Sequence, residues 1–390
     1  NAMVPSGAST GQKEALELRD GGNAFHGKGV KKAIRNVNET MKSALIGKNP
    51  LDQDHIDQIL IDLDDKNDKS NLGANAILSV SIASAKASSK SENLDLHNYF
   101  NILIGNKMGN SIDQVIPIPM LNILNGGEHA DNNVDIQEFM VIPKGASSFS
   151  QAMQWSSEIY WNLKDILKKK GLSTAVGDEG GFAPNLSSNR EALELISLAV
   201  EKTSLNMGSD IFISLDCAAS EFFKDGIYHL KGEDKKLSNS EFVEYLKVLV
   251  RDFPIISIED GMDENDFDGW KILTEEIGNE CQLVGDDLFV SNPEILKKGI
   301  KKEIANSVLI KYNQIGTITE TLETISIALN NNYKNIISHR SGETEDSSIS
   351  DLAVGTGVGQ IKTGAPCRSE RVAKYNRLYW IDEKNSFPYG

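Results

Sequence analysis

The sequence predicts an α/β fold whose larger, C-terminal part is a (β/α)₈ barrel. The first observation is that six short apolar runs in the second half of the chain each end at a functional residue, in the order Asp216, Glu259, Asp286, Lys311, His339 and Lys362. The second is their spacing, since successive end points lie 23 to 43 residues apart, near the roughly 30 residues of one strand-plus-helix unit. Because catalytic groups of such barrels lie where strands end, these side chains are expected to face one cavity.

Composition and charge indicate a soluble globular protein with two domains. The chain has 390 residues, of which 39% are hydrophobic and 25% are charged. Its net charge of −16 argues against nucleic-acid binding through bulk electrostatics, so an anionic substrate needs local cations or a metal. Sparse cysteines without a CxxC pair, and no apolar stretch near the ~20 residues of a membrane span, favour a reducing, cytoplasmic location.

Residues 1–112 are predicted to form a smaller, helix-rich N-terminal domain. Apolar residues at helical spacing predict a helix over residues 29–46, and small residues predict a close-packed helix over residues 74–87. The main strand signal in this region covers residues 14–19. Pro117 and Pro119 then break the pattern, which places the domain boundary near Asp113.

Residues 113–390 are predicted to form the barrel domain, because strand and helix signals alternate from there on. One helix is predicted over residues 190–202. Three further helices have recognisable start signals, namely Ser238 with Glu241, Asn292 with Pro293, and Thr317 with Glu320.

Three of the strand ends carry carboxylates and together predict a metal site. Asp216, Glu259 and Asp286 offer only hard oxygen ligands from separate strands, which suits Mg²⁺. The alternative is that such acids cap helices or pair with arginines. Three of them in successive units, without a histidine among them, favour the metal.

Lys311 and Glu179 are predicted to form an acid–base pair. Lys311 ends an apolar run, and a lysine beside a metal and a second cation has a depressed pKa, so it can act as a base; the alternative is a lysine that extends to solvent. Glu179 lies in a glycine-flanked loop, residues 177–181, which lets the backbone approach a ligand; the alternative is an exposed acidic turn. Together they suit β-elimination through a metal-stabilised enediolate.

Other segments predict anion recognition. Arg340 offers a guanidinium fork to phosphate, and Ser341 adds a donor. The glycine loop at residues 6–11 is suited to be a lid over a phosphate. The run at residues 355–359 has the glycines of a dinucleotide fingerprint but precedes a strand rather than a helix, which excludes a Rossmann site.

Taken together, these residues resemble the enolase family. The matching motifs span the chain in the family's order, at residues 4–11, 177–185, 257–261, 285–288, 313–317, 338–346 and 359–365. The resemblance implies a modified (β/α)₈ barrel preceded by an α+β domain, usually in a homodimer. It also implies a Mg²⁺-dependent lyase that reversibly dehydrates 2-phosphoglycerate, a small phosphorylated three-carbon acid, to phosphoenolpyruvate.

The resemblance implies a role for each matching residue. Lys311 abstracts the C2 proton, and Glu179 protonates the departing C3 hydroxyl. The first Mg²⁺ is held by Asp216, Glu259 and Asp286. A second arrives with substrate, and Ser9 contributes to it from the lid. The substrate and the rest of the site are met by Arg340 and Ser341 at the phosphate, Lys362 at the carboxylate, and Gln137, Glu138, His129 and His339 along the wall.

The chain departs from the family pattern at its front. Asn1 and Ala2 are typical of an expression-tag remnant, and the family's first two strands, including an Asp-Ser-Arg-Gly-Asn-Pro segment, are absent before the first glycine loop. We therefore expect an N-terminal domain that lacks its first strands. At Glu128, at Tyr312 and in the glycine-rich stretch near residue 355, the chain carries residues that are unusual for the family. None of these differences removes a catalytic group.

Two other functions remain open from the sequence. One is a related enzyme that acts on a non-phosphorylated acid. The other is a binding or scaffold protein, since enolases also occur at cell surfaces and in RNA-degrading assemblies.

Overall fold

The computed structural model describes residues 1–7 and 10–390, and its N-terminal region is helical. The helices of this region are α1 Lys31–Asn36, α2 Lys42–Leu45, α3 Gln53–Asp64, α4 Ala74–Ser91 and α5 Leu96–Met108. A π-helical turn, Val37–Met41, joins α1 to α2. The predicted helices over residues 29–46 and 74–87 are therefore confirmed, with small shifts at their ends.

The predicted strand over residues 14–19 is wrong. This segment is extended, but its N–H groups donate to unrelated partners, as Ala15 does to the Gln314 carbonyl and Leu16 to the Asp68 carbonyl. A strand requires a continuous ladder with one neighbour. Among the described residues before Ile118, the backbone forms isolated β-bridges, and none of these bridges extends into a strand.

The second part of the chain forms a closed eight-stranded barrel. The strands are β1 Ile118–Asn125, β2 Glu138–Ile142, β3 Phe212–Asp216, β4 Phe223–Lys224, β5 Ile227–Leu230, β6 Lys235–Leu237, β7 Ile255–Glu259, β8 Gln282–Gly285, β9 Ser307–Ile310, β10 Lys334–Ser338 and β11 Gln360–Lys362. Around the barrel the order is β1-β2-β3-β7-β8-β9-β10-β11, and β4–β6 form a separate small sheet.

One reversed strand modifies the barrel. Strand β2 is antiparallel to both β1 and β3, while the other neighbours around the barrel are parallel. The connection from β1 to β2, residues 126–137, holds only a short 3₁₀ turn, and a parallel crossover needs a longer connection, usually a helix. The alternation of strand and helix signals did not predict this reversal.

Helices surround the barrel, and the three with predicted start signals begin at those signals. They are α6 Phe149–Lys169, α7 Asn189–Glu201, α8 Asn239–Asp252, α9 Phe267–Ile277, α10 Pro293–Lys302, α11 Tyr312–Ile315, α12 Ile318–Asn330, α13 Ser348–Thr356 and α14 Ser369–Lys384. A reciprocal capping box joins Ser238 to Glu241 at the start of α8, and Asn292 caps α10 with proline in its first turn. Thr317 caps α12 by accepting from the Glu320 N–H.

The barrel interior is packed, so the functional residues lie above a solid floor. Its buried apolar layer consists of Met120, Met140, Ile142, Val284, Leu309 and Ile336. At the carboxyl ends of the strands above this layer, Asp216, Glu259 and Lys362 are the last strand residues, and Asp286, Lys311 and His339 follow directly after theirs. The predicted barrel and all six predicted strand ends are confirmed.

Polar contacts hold the N-terminal helices against the barrel domain. Lys69 forms an ion pair with Glu320 at 3.0 Å, and Lys86 pairs with Asp346 at 2.6 Å. The cysteines form no disulfide, as expected. Within the described residues, every helix is too short or too polar to cross a lipid bilayer.

The loop that carries Glu179 lies unusually close to β1. The Asn125 N–H donates to the Phe182 carbonyl at 2.8 Å, and the Phe182 N–H donates to the Ile123 carbonyl at 2.9 Å. At Gly181 a Cβ would lie 2.5 Å from Asn125 Oδ1, which is closer than any real Cβ contact. Glycine at position 181 is therefore what permits this approach.

Gly181→Ala is expected to lower the free energy of unfolding by about 1–3 kcal/mol, because the added methyl must push the loop off β1. Urea denaturation followed by circular dichroism measures the effect. Asn185→Ala, an exposed change in the same loop, is the control and is expected to change stability by less than about 0.5 kcal/mol. Equal stabilities of the two variants would contradict the close packing.

Candidate active site

The carboxyl ends of the barrel strands enclose one narrow cavity of about 30 Å³, which is room for about two water molecules. Eleven of the sequence-predicted site residues line it: His129, Gln137, Glu138, Glu179, Asp216, Asp286, Lys311, His339, Arg340, Ser341 and Lys362. Glu259 is buried beside them and contacts Lys362. Ser9 lies outside the described residues.

Three carboxylates stand side by side because of strand register. Glu138 on β2 pairs with Asp216 on β3, and Asp216 pairs with Glu259 on β7. All three are at least 96% buried. Like charges at directly opposed positions of a sheet repel, so these strand ends need a positive charge between them.

Lys362 supplies that charge. Its Nζ lies 2.9 Å from Asp216 Oδ2, 2.9 Å from both Glu259 oxygens and 3.2 Å from Glu138 Oε2. Burial alone lowers the pKa of Lys362, but the attraction of Asp216, Glu138 and Glu259 outweighs it and holds the pKa well above its usual value. Lys362 is therefore a permanent cation in this arrangement.

The lysine does not balance the negative charge. Burial, with repulsion from Glu179, raises the pKa of Glu138 to about 7. Burial and repulsion from Asp216 hold the pKa of Glu259 well above its usual value. The site thus has more buried carboxylates than its cations stabilise, and this all-oxygen donor set fits a hard divalent cation.

The predicted metal trio is only partly assembled. Asp216 and Glu259 share the Lys362 ammonium, whereas Asp286 accepts a hydrogen bond from Gln314 Nε2 at 2.8 Å and contacts Lys311. Among the residues that the structure describes, the ligand atoms that approach within 4.8 Å of one another belong to two other groups, Asp260 with Asp286 and Asp287, and His129 with Glu138 and Glu179. The trio as a metal site stays a prediction.

The predicted depression of the Lys311 pKa assumes a metal bound beside the lysine, and it stays a prediction. Burial lowers the pKa of Lys311, but the directly bound Asp286 carboxylate outweighs burial and raises it above its usual value. The sequence argument counted neighbouring cations and a metal, and it did not include an acid in contact with the ammonium. Arg340 and Lys362 do oppose the effect of Asp286.

Glu179 is buried between hydrogen-bond donors. Asn122 Nδ2 donates to Glu179 Oε2 at 3.1 Å, and His339 Nε2 lies 3.1 Å from the same oxygen. Burial raises the pKa of Glu179, but His339, His129 and Arg371 outweigh it and hold the pKa well below its usual value. The group is therefore ionised in this arrangement.

His129 bridges two acids on the opposite wall. Its Nδ1 lies 3.4 Å from Glu138 Oε1 and 3.7 Å from Glu179 Oε1. Burial lowers the pKa of His129, but Glu179 and Glu138 outweigh burial and raise it. Gln137 Oε1 is buried nearby and has no hydrogen-bond partner among the described residues, which leaves an acceptor facing the site.

The anion-binding side is engaged by an internal carboxylate. Arg340 NH1 and NH2 donate to the two oxygens of Glu14, at 2.8 and 3.1 Å. The Gly11 N–H donates to the same carboxylate at 3.0 Å. Glu14 thus links the N-terminal glycine loop to the predicted phosphate-binding arginine.

Sequence reasoning missed several residues that shape the site. They are Glu14, Asn122, Asp260, Gln314 and Arg371. Asp260 accepts from the Asp286 and Asp287 N–H groups at 2.9 and 2.8 Å and so places Asp286. Arg371 had a visible signal, since it lies on the same face of α14 as the buried Tyr375 and Leu378.

Two family models match the chain. Residues 1–100 match the enolase N-terminal domain, and residues 113–386 match the enolase C-terminal TIM barrel domain. The second match alone covers more than half of the 390 residues, and it includes every strand of the barrel.

Glu138→Gln is expected to reduce the pH dependence of stability of the metal-free protein. The pKa of Glu138 is about 7 in the folded protein against an ordinary value of 4.5, so the folded state binds more protons between these values and wild-type stability falls as pH rises through the window. Glutamine loses no proton. The difference in unfolding free energy, variant minus wild type, is therefore expected to grow by on the order of 3 kcal/mol across the window.

Urea denaturation at a series of pH values in the presence of a chelator measures this difference. A constant offset across the window would show that Glu138 ionises as readily in the folded protein as in the unfolded chain.

Proposed function

The chain belongs to the enolase family, and we propose that it catalyses the reversible, Mg²⁺-dependent dehydration of 2-phospho-D-glycerate to phosphoenolpyruvate, as phosphopyruvate hydratase does in glycolysis. The family supports a metal-dependent lyase reaction. The specific substrate is supported by the residues around the cavity.

One observation carries the proposal: a lysine and a glutamate of the predicted acid–base pair line the same small cavity together with carboxylates suited to a metal. Lys311 contacts Asp286, and Glu179 contacts His339. All four side chains line the cavity. Removal of a proton and a hydroxyl from adjacent carbons needs a base and an acid within reach of one substrate.

In the proposed reaction Lys311, in its neutral form, takes the proton from C2. The electrons of the C2–H bond first move onto the substrate carboxylate, which gives the enediolate. They then form the C2–C3 double bond as the C3–O bond breaks. Glu179, in its protonated form, delivers a proton to the leaving hydroxyl, which departs as water. Lys311 gains one proton and Glu179 loses one, so the enzyme carries no net charge change through the step.

Asp216, Glu259 and Asp286 would hold the first Mg²⁺, and a second would join with substrate, with Ser9 among its ligands. When bound, the ions supply positive charge that stabilises the enediolate and acidifies the C2 proton. Within the chain, a bound cation would change the pKa of Lys311. Its pKa is raised chiefly by Asp286, so neutralising that carboxylate leaves the repulsion of Arg340 and Lys362 to lower it.

The buried cations of the cavity are assigned to the substrate's anionic groups. Arg340 and Ser341 would bind the phosphate, and Lys362 the carboxylate. Gln137, Glu138, His129 and His339 complete the wall. We also propose that the protein is a cytoplasmic homodimer, as the resemblance to the family implies.

One assay distinguishes this proposal from the two alternatives. These are a related enzyme that acts on a non-phosphorylated acid, and a scaffold protein without activity. Ultraviolet absorbance of the enol phosphate is followed with 2-phosphoglycerate, with and without Mg²⁺, and the formation of pyruvate from D-glycerate is measured in parallel. The proposal requires Mg²⁺-dependent product from 2-phosphoglycerate alone. Turnover of D-glycerate would favour the related enzyme. Absence of product from both substrates, with and without Mg²⁺, would favour the scaffold protein.

Lys311→Ala and Glu179→Gln are each expected to lower the dehydration rate by roughly 10²- to 10⁴-fold while substrate binding is retained. In deuterated water they differ. Lys311→Ala is expected to lose exchange of the C2 proton as well, because no base remains, whereas Glu179→Gln is expected to keep it.

Mass spectrometry of recovered substrate measures exchange, and calorimetry measures binding. Lys301→Ala, an exposed change on α10, is the matched control and is expected to behave as wild type. Exchange that survives in Lys311→Ala would refute the assignment of the base.

Asp216→Asn is expected to weaken Mg²⁺ binding by at least about tenfold, because a carboxylate is a far better ligand for this ion than an amide. The stabilisation that Mg²⁺ gives the wild type in a thermal melt should fall accordingly. Asp268→Asn, an exposed change on α9, is the control for the loss of one negative charge. Equal Mg²⁺ responses in all three proteins would place the metal elsewhere.

A further inference from the structure

Arg371 is among the largest fully buried side chains of the protein, with no solvent exposure. It stands in the first turn of α14 and passes over Gly364, where a Cβ would lie 2.9 Å from Arg371 Cδ. A guanidinium is always charged, and its burial is tolerated only when it is paired and hydrogen-bonded.

The guanidinium joins the two loops that carry the proposed acid and the proposed phosphate site. Its NH2 donates to the Ser341 carbonyl and to the Asp178 carbonyl, the latter at 3.2 Å. Its NH1 donates to the Arg340 carbonyl. The loop preceding Glu179 and the loop after His339 are therefore fixed to one side chain.

The fourth contact determines the state of His339. Arg371 NH1 lies 2.5 Å from His339 Nδ1. Arginine offers donors only, so Nδ1 must accept and carries no proton. Burial, with the nearby charge of Arg371, lowers the pKa of His339 to about 3, so the ring is neutral and its single proton lies on Nε2.

We propose that Arg371 is a positioning residue, which fixes the Nε2–H tautomer of His339 and through it orients Glu179 for proton delivery. Because Nε2 lies 3.1 Å from Glu179 Oε2, this tautomer places the ring's only proton beside the carboxylate. The opposite tautomer would point a lone pair at it and repel it.

The same geometry distinguishes the two oxygens of Glu179. Oε2 accepts a hydrogen bond from Asn122 Nδ2 at 3.1 Å, and the protonated His339 Nε2 lies beside it at the same distance. A hydroxyl at Oε2 would direct its hydrogen at these N–H groups or give up the bond from Asn122. The proton that Glu179 delivers therefore resides on Oε1, the oxygen that faces His129 at 3.7 Å.

The delivery step rests on the proposed function, but the tautomer does not, so the test has two independent readouts. The first is the nitrogen NMR spectrum of the protein labelled at its histidines, with the His339 signals identified by their loss in His339→Gln. In the wild type at neutral pH, Nδ1 is expected to give the signature of an unprotonated nitrogen and Nε2 that of a protonated one.

Arg371→Met removes the donor and the charge while keeping a side chain of similar length. It is expected to abolish the tautomer preference and to lower kcat by about 10²-fold, with KM changed much less. Arg371→Lys restores one donor and is expected to recover part of both effects.

Arg377→Met is the matched control. Arg377 lies on the same helix and is ion-paired with Asp351, away from the cavity. The Arg377→Met variant loses an ion pair to the buried Asp351. If Arg371 had a merely structural role, both variants would therefore change the tautomer and kcat in the same way. We expect Arg377→Met to keep the tautomer and kcat of the wild type.

A wild-type spectrum with the proton on Nδ1 would overturn the inference, as would an Arg371→Met protein that keeps both tautomer and kcat. If Arg371→Met does not fold, the wild-type spectrum still decides the tautomer and Arg371→Lys decides kcat. If the tautomer is found in a protein that does not turn over 2-phosphoglycerate, the proposed function fails while the positioning of Glu179 by Arg371 stands.

Discussion

The rest of the structure depends on an excess of buried negative charge at one end of the barrel. Strand register forces Glu138, Asp216 and Glu259 into adjacent positions, where burial costs free energy that partial pairing does not recover. The fold answers with Lys362, which reaches all three from β11. The remaining imbalance appears as the raised pKa values of Glu138 and Glu259. A site in this condition gains stability from any divalent cation that displaces a proton or an ammonium.

The ligand-free cavity is filled by its own ion pairs. Lys311 binds Asp286, Lys362 binds three acids, and Arg340 binds Glu14. These pairs hold the catalytic side chains in well-defined positions on a packed floor, which lowers the conformational cost of binding. They also account for the small volume of about 30 Å³, since each cation that a substrate would meet already contacts a carboxylate of the protein. A substrate and its metal must therefore exchange partners rather than enter an open space.

The sequence predicted the features that follow from local periodicity. Apolar runs ending in charged residues identified six strand ends, because a strand end and its side chain direction are local properties. It missed the reversal of strand β2 and the contacts between residues far apart in the chain. The raised pKa of Lys311 comes chiefly from Asp286, which follows the neighbouring strand 25 positions earlier. Glu14 and Arg371 act through residues more than 30 positions away, and no motif around either residue announces such a partner.

The protonation states of the ligand-free site are those needed for one direction of the proposed reaction. Lys311 is protonated and Glu179 is ionised. Addition of water to phosphoenolpyruvate needs an ammonium to protonate C2 and a carboxylate to take a proton from water, so this direction can begin from the states present. Dehydration needs the opposite states. Because one group loses a proton and the other gains one, the exchange requires no net proton uptake. A cation at Asp286 would remove the charge that stabilises the Lys311 ammonium, which favours the loss of its proton.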